Sequence, residues 1–334
     1  MTLKNNIKKS TLLGLILMLA LALSCKENKK TEDNDTDAET GMVAADAPFF
    51  DLSLAQWSIH RMIREGDTDP YSFAKMAKDW GFSGLEYVSQ LYNPELEEAD
   101  YSKEAMDAFV AKSNEEAEKY GMKNVLIMID GQGNLAVSNA KERKEAVERH
   151  YKWVDAAAAM GCHAIRVNLA GSDIPEEWKA NSIDGLTQLA TYAKDRNINI
   201  IVENHGGLSS NAAMVAEVMS TVNMDNCGTL PDFGNFCIKR KDPENYVAGC
   251  AEMYDIYKGV TELMPHAKAV SAKSHKFDER GNEIEIDYVR MLQIVKDAGY
   301  KGYIGVEYEG DELSEEEGII ATKELLIQAA TKLN

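Results

Sequence analysis

The chain has 334 residues, 45% hydrophobic and 27% charged, a balance that excludes wholesale disorder and collagen-like repeats. Lys and Arg number 36 against 55 Asp and Glu, a formal charge of -19, so the surface repels phosphate backbones and nucleic acid is excluded as a partner. The length allows one large domain or two of average size.

Residues 1–24 read as a targeting signal. Lys4, Lys8 and Lys9 precede the apolar run Thr11 to Leu23, after which Ser24 and Cys25 are small and polar. The run is shorter than the roughly 20 apolar residues that span a bilayer. It resembles a bacterial lipoprotein signal with the lipobox Ala22-Leu23-Ser24-Cys25, which implies cleavage before Cys25 and a lipid on that cysteine. The expected product is an exported lipoprotein, periplasmic or held at the outer membrane, touching the membrane only through its lipid. An uncleaved anchor is the alternative. Removing residues 1–24 takes away three lysines and no acid, so the charge moves from -19 to -22. Residues 25–48 follow as an acidic tether, with Glu32, Asp33, Asp35, Asp37, Glu39 and Asp46 and no base between Thr31 and Pro48.

From residue 49 to 334, β-rich runs alternate with amphipathic ones. Strands are expected at 52–58, 84–88, 124–129, 164–169, 198–203, 228–232, 269–274 and 303–307. Helices are expected at 71–80, 103–120, 141–160, 185–196, 212–222, 243–263, 288–298 and 315–333. Gly81, Gly121, Gly161 and Gly299 stand where C-caps belong. Each strand-helix unit takes about 36 residues, which predicts a single (β/α)8 TIM barrel. A doubly wound sheet with a second domain is the alternative, but no Gly-x-Gly-x-x-Gly or Gly-Lys-Ser/Thr turn follows any strand. Cys162, Cys227, Cys237 and Cys250 lack C-x-x-C spacing and are expected as small buried thiols. Export would let a pair oxidise, though a bridge between Cys227 and Cys237, which flank one strand, is awkward.

A barrel carries its chemistry at the carboxyl ends of its strands. The last four strands end in metal-ligand types: Glu203 and His205 after the fifth, Asp232 after the sixth, His275 after the seventh, Glu307 and Glu309 after the eighth. Two Glu, one Asp and one His suit Mn²⁺, Mg²⁺, Co²⁺ or Zn²⁺, the carboxylates favouring the harder ions.

The segments IIVENHGG (200–207), LPDFGNF (230–236), SAKSHKFDERG (271–281) and GYIGVEYEG (302–310) resemble the xylose isomerase-like TIM barrels, a family of sugar phosphate isomerases and epimerases. The resemblance spans Leu52 to Asn334 and implies one divalent ion, Mn²⁺ foremost, on Glu203, Asp232, His275 and Glu307. Epimerases of that family often carry Asp-x-x-His after the sixth strand, with the His reaching substrate, where this chain has Asp232-Phe-Gly-Asn235. In the implied mechanism the ion polarises a carbonyl, and Glu203 and Glu307 pass protons through a cis-enediolate.

Alternation along the seventh strand puts Lys273 on the side of His275, as an oxyanion stabiliser or acid, or else as a lysine snorkelling to solvent. His205 is a substrate ligand or a loop histidine capping backbone. Arg166 and Asn168 share a face of the fourth strand and could bind hydroxyls, while Arg166 could equally pair with a neighbouring strand's acid such as Glu86. Trp57 and His60 line a sugar pocket or belong to the core. Glu309 and Asp278 are supporting candidates, Asp278 as the group that orients His275.

Phosphorylated sugars are cytosolic, so an exported member should act on a neutral sugar. The expected function is a metal-dependent isomerase or epimerase of a non-phosphorylated keto sugar, working by α-proton abstraction. A 3-keto-glycoside lyase or hydratase using the same enediolate and a non-catalytic sugar-binding lipoprotein are the alternatives. The partner is a small sugar or glycoside, and a homodimer is allowed. The nuclease relatives of this barrel need a histidine-rich trinuclear set, for which six histidines and an acidic surface are poor material.

Overall fold

The computed structural model describes residues 47–242 and 248–333. The expected signal, Cys25 and most of the acidic tether lie outside them. No helix among the described residues is long and apolar enough to cross a membrane.

Eight parallel strands form one sheet: β1 (Asp51–Ala55), β2 (Gly84–Val88), β3 (Lys123–Met128), β4 (Ala164–Val167), β5 (Asn199–Glu203), β6 (Cys227–Leu230), β9 (Val270–Ser274) and β10 (Tyr303–Tyr308). Its order is β6-β5-β4-β3-β2-β1-β10-β9. The two edge strands meet through parallel bridges, Thr229 to Ala267 and Asp232 to Ser271, which close the barrel. All five residues of β2 and of β9 are buried, as strands covered on both faces must be. β9 nonetheless reads Val-Ser-Ala-Lys-Ser, so three polar side chains sit in a wholly buried strand. A break of local pattern like this belongs at a functional site.

The helices are α1 (His60–Glu65), α2 (Phe73–Asp79), α3 (Asn93–Glu98), α4 (Lys103–Tyr120), α5 (Ala140–Ala159), α6 (Pro175–Lys194), α7 (Ala212–Val222), α8 (Ile256–Leu263), α9 (Tyr288–Asp297) and α10 (Glu315–Thr331). Side chains of Asn139, Asn211 and Asp287 cap α5, α7 and α9, and Ser314 with Glu317 forms a reciprocal capping box on α10. The four glycines expected as helix stops all take positive φ. Helix α6 starts ten residues before the expected position, with Pro175 in its first turn followed by Glu176 and Glu177. Gly185, read as its start, lies inside it because the chain at Leu135 passes so close: a Cβ there would stand 2.3 Å from the Leu135 carbonyl oxygen.

The helix expected over 243–263 is the main correction to the fold. Among its described residues only Ile256–Leu263 is α-helical, and β7 (Cys237–Arg240) pairs antiparallel with β8 (Cys250–Met253) beside the barrel mouth. The pairing brings Cys237 and Cys250 together as a disulfide with Cα atoms 5.8 Å apart. The expectation of buried thiols therefore fails for this pair, because the strand pair joins what a helix would have separated. Cys162 is buried and free, and Cys227 is free and half-buried.

Candidate active site

Glu203 ends β5, Asp232 follows β6 by two residues, and Glu307 lies in β10. One carboxylate oxygen from each falls within 4.8 Å of the others, and all three side chains are buried. They form an acidic triad of a kind that could bind a divalent ion. The side chains facing it from β9 are Ser271 and Lys273. Ser271 Oγ lies 2.8 Å from Asp232 Oδ2 and 3.0 Å from Glu307 Oε2. Lys273 Nζ lies 3.3 Å from Glu307 Oε2, 3.3 Å from Glu309 Oε1 and 3.8 Å from Asp232 Oδ2. At 1% exposure Lys273 does not snorkel to solvent.

Asp232 Oδ1 and both oxygens of Glu203 also have close partners. Asp232 Oδ1 accepts from the backbone N–H groups of Gly234 and Asn235, both at 2.8 Å. Asn204 clamps the Asp232 backbone on both sides, donating to its carbonyl and accepting from its N–H. Glu203 Oε1 accepts from Asn235 Nδ2 at 3.0 Å, and Glu203 Oε2 lies 2.8 Å from Arg166 Nε. Arg166 donates through Nη1 to Asp130 at 3.0 Å, where Asn168 donates at 2.7 Å.

Burial pushes the Glu203 carboxyl up to about 7 against the pull of Arg166, and the Asp232 carboxyl up to about 7 against Lys273. Burial alone would lower the Lys273 ammonium, but Asp232, Glu307 and Glu309 outweigh it and hold the group well above its ordinary range. Burial raises and Lys273 lowers the Glu309 carboxyl, and the lysine prevails.

A cavity of about 500 Å³ opens above this cluster, within the usual size of small-molecule sites. Trp57, Arg166, His205, Asn235, His275, Lys273, Glu307 and Glu309 all line it, and so do Gln90 and Asp130, which the sequence did not single out. Glu203 and Asp232 are not among its lining. Asn168 lines an adjoining cavity that shares Asp130 and His205 with the first.

Several expectations need correction. His275 is not part of the converging group among the described residues: it stands one residue past the end of β9 and lines the cavity instead. Asp278 does not orient it. Its carboxylate caps a turn through the N–H groups of Arg280 and Asn282, and it is Glu283 Oε1 that accepts, at 3.4 Å, from the His275 backbone. Arg166 pairs with Asp130 and Glu203 rather than Glu86, which takes a 2.6 Å hydrogen bond from Ser53. His60 stacks on Trp57 at 4.4 Å, with Nδ1 2.6 Å from the Trp57 carbonyl oxygen, so it positions that ring. Sequence reasoning missed Asp130 and Ser271. Asp130 stands at a strand end like the acids that were counted, and Ser271 lies two residues before Lys273 on the same strand.

The chain belongs to the xylose isomerase-like TIM barrel family, whose model matches residues 74–329. No curated protein sequence matches it. Among solved structures it is similar to the IOLI protein with a bound zinc atom, at 16% identity and a TM-score of 0.61 over 85% of this chain and 99% of that one. It is also similar to the D-allulose 3-epimerase of a Methylomonas species, at 15% identity and a TM-score of 0.60 over 85% and 98% of the two chains. A probable 3-DHS dehydratase of Bacillus anthracis matches at 13% identity and a TM-score of 0.57 over 83% and 98%. At these identities the likeness is one of fold.

The donor types of the triad suit the divalent ion that the fold family implies. The arrangement does not fit a resident one: the histidine is missing, and the oxygens of Asp232 and Glu307 already face an ammonium and a hydroxyl.

Proposed function

We propose that this protein is an isomerase or epimerase of a non-phosphorylated keto sugar, working by proton transfer next to a carbonyl. The observation that carries the reading is Glu307 beside Lys273, 3.3 Å apart, in the lining of a monosaccharide-sized cavity. Glu307 takes the proton from the carbon next to the carbonyl, and the electron pair moves into the new C–C double bond. The carbonyl oxygen gathers charge, and the Lys273 ammonium donates to it. When the proton of the neighbouring hydroxyl passes to the former carbonyl oxygen, return of the carbon proton by Glu307 to the former carbonyl carbon gives the isomer. Return from the other side, the role proposed for Glu203, gives the epimer. Arg166, Asn168, Asn235 and His205 are proposed to bind hydroxyls, with the Trp57 ring against the apolar face of the sugar.

Two features support a neutral substrate met outside the cytosol. The chain carries a strong excess of acid, and the Cys237–Cys250 disulfide suits an oxidising compartment, in keeping with the proposed lipid on Cys25. The dehydratase among the structural relatives favours a second reading, in which the same enediolate expels a group β to the carbonyl.

The test is proton NMR of the purified protein in D₂O with a ketohexose, glucose and a 3-keto-glucoside. Deuterium uptake at a carbon next to a carbonyl is expected, and the products separate isomerase from lyase. Absence of exchange on all three would remove the proposal and leave a sugar-binding protein.

A further inference from the structure

We propose that Lys273, with Ser271, holds the place of the divalent ion in this barrel, so that the chain keeps its carboxylate triad without a resident metal. This holds whichever sugar, if any, is turned over.

Strand geometry delivers the two side chains. Ser271 and Lys273 alternate onto the inner side of β9, and Lys273 is in register with Glu307 of β10. Ser271 is bridged to Asp232 at the closure of the barrel. The sheet itself thus sets both at the point where the three acids converge.

Lys273 and Ser271 already engage the oxygens that an ion would use. A bound Mg²⁺ stands about 2.0–2.1 Å from its oxygens. An ion on Asp232 Oδ2 and Glu307 Oε2 would therefore compete with the Lys273 ammonium, 3.8 and 3.3 Å from those atoms, and with Ser271 Oγ, 2.8 and 3.0 Å from them. Glu203 is turned to other partners, Asn235 on one oxygen and Arg166 on the other.

Each of these buried carboxylates also has a cation beside it without a metal. Buried carboxylates persist only when paired. Arg166 answers Asp130 and Glu203, and Lys273 answers Glu307, Glu309 and Asp232. The service an ion would give to the triad is already supplied by two side chains fixed in the sheet. An ammonium carries one charge and donates hydrogen bonds, so it can polarise a single substrate oxygen but cannot chelate two.

The experiment is metal analysis of the purified protein after incubation with Mn²⁺, Co²⁺ or Zn²⁺ and desalting, with Mn²⁺ titration followed by electron paramagnetic resonance. The wild type should retain no stoichiometric ion. Lys273→Met, which keeps much of the side-chain volume and removes the charge, should bind Mn²⁺ at least about tenfold more tightly than the wild type. A second change, Asp232→Asn, should abolish that gain and so assign it to the triad. A wild type that holds one ion per chain through desalting overturns the proposal, and so does a folded Lys273→Met protein with no gain. If Lys273→Met does not fold, the wild-type measurement decides alone. None of these readouts uses turnover. A metal-free protein that exchanges no deuterium upholds this inference while the sugar reading falls, and a metal-bound protein that does exchange overturns this inference while the sugar reading stands.

Discussion

Two buried glutamates, each beside a serine, face the inside of this barrel and meet different fates. Glu86 on β2 accepts a hydrogen bond from Ser53 at 2.6 Å, its other oxygen has no hydrogen-bond partner, and no cation among the described residues forms an ion pair with it. Burial pushes its carboxyl up to about 8, so at neutral pH it is a protonated acid packed in the core. Glu307 on β10 has Ser271 at 3.0 Å and, in addition, the Lys273 ammonium at 3.3 Å, and it opens onto the cavity. Side-chain type and burial are shared. What differs is the cation and access to a ligand, and these separate a structural acid from one that can exchange protons.

The contrast can be broken most strongly at Glu307. Glu307→Gln keeps the shape and removes the base, so turnover should fall about 10³-fold with the fold retained, as checked by steady-state rates beside circular dichroism. Normal turnover would assign the proton transfer elsewhere.

Glu86 should show itself in stability instead. Its carboxyl is raised in the folded state, so its contribution is fully present below pH 4.5 and is lost as pH rises through about 8. Denaturant unfolding of the wild type should lose up to roughly 5 kcal/mol across that window on this account, and Glu86→Gln should flatten the loss. Identical pH profiles for the two proteins would show that Glu86 is not buried as a neutral acid.

Gly305 sharpens the comparison from the other side. It lies between Ser53 and Ser271 in the register of β1, β10 and β9, and a Cβ on it would stand 2.4 Å from Glu86 Oε2. Its missing side chain is the room that Glu86 fills. Gly305→Ala should cost about 2 kcal/mol of unfolding free energy through overpacking. Smallest is Ser53→Ala, which removes the one donor to Glu86 and should cost about 1 kcal/mol, measured in the same way.

The alternation of runs made eight strands and a barrel legible, and strand β2 and helices α4 and α7 stand where the pattern puts them. Local chemistry decides such elements: β-branched runs, capping side chains and glycine stops act within a few residues. Where a long-range contact intervenes, the pattern misleads. Gly185 looks like a helix start until Leu135 is seen pressed against it, and 243–263 looks helical although β8 and a disulfide claim part of it.

The site divides along the same line. Glu203, Asp232, Glu307 and Lys273 are legible because a barrel sends strand ends to one mouth, so position in the chain already says which side chains share a cavity. Which of them meet is a matter of ångströms that alternation cannot supply. His275 falls one residue past the end of β9 and is not in the triad's group, while Ser271 and Lys273 contact both Asp232 and Glu307. Strand periodicity assigns a side chain to a face. Only the closure of the barrel, which sets β9 against both β6 and β10, decides whether carboxylates converge on a metal or on a lysine.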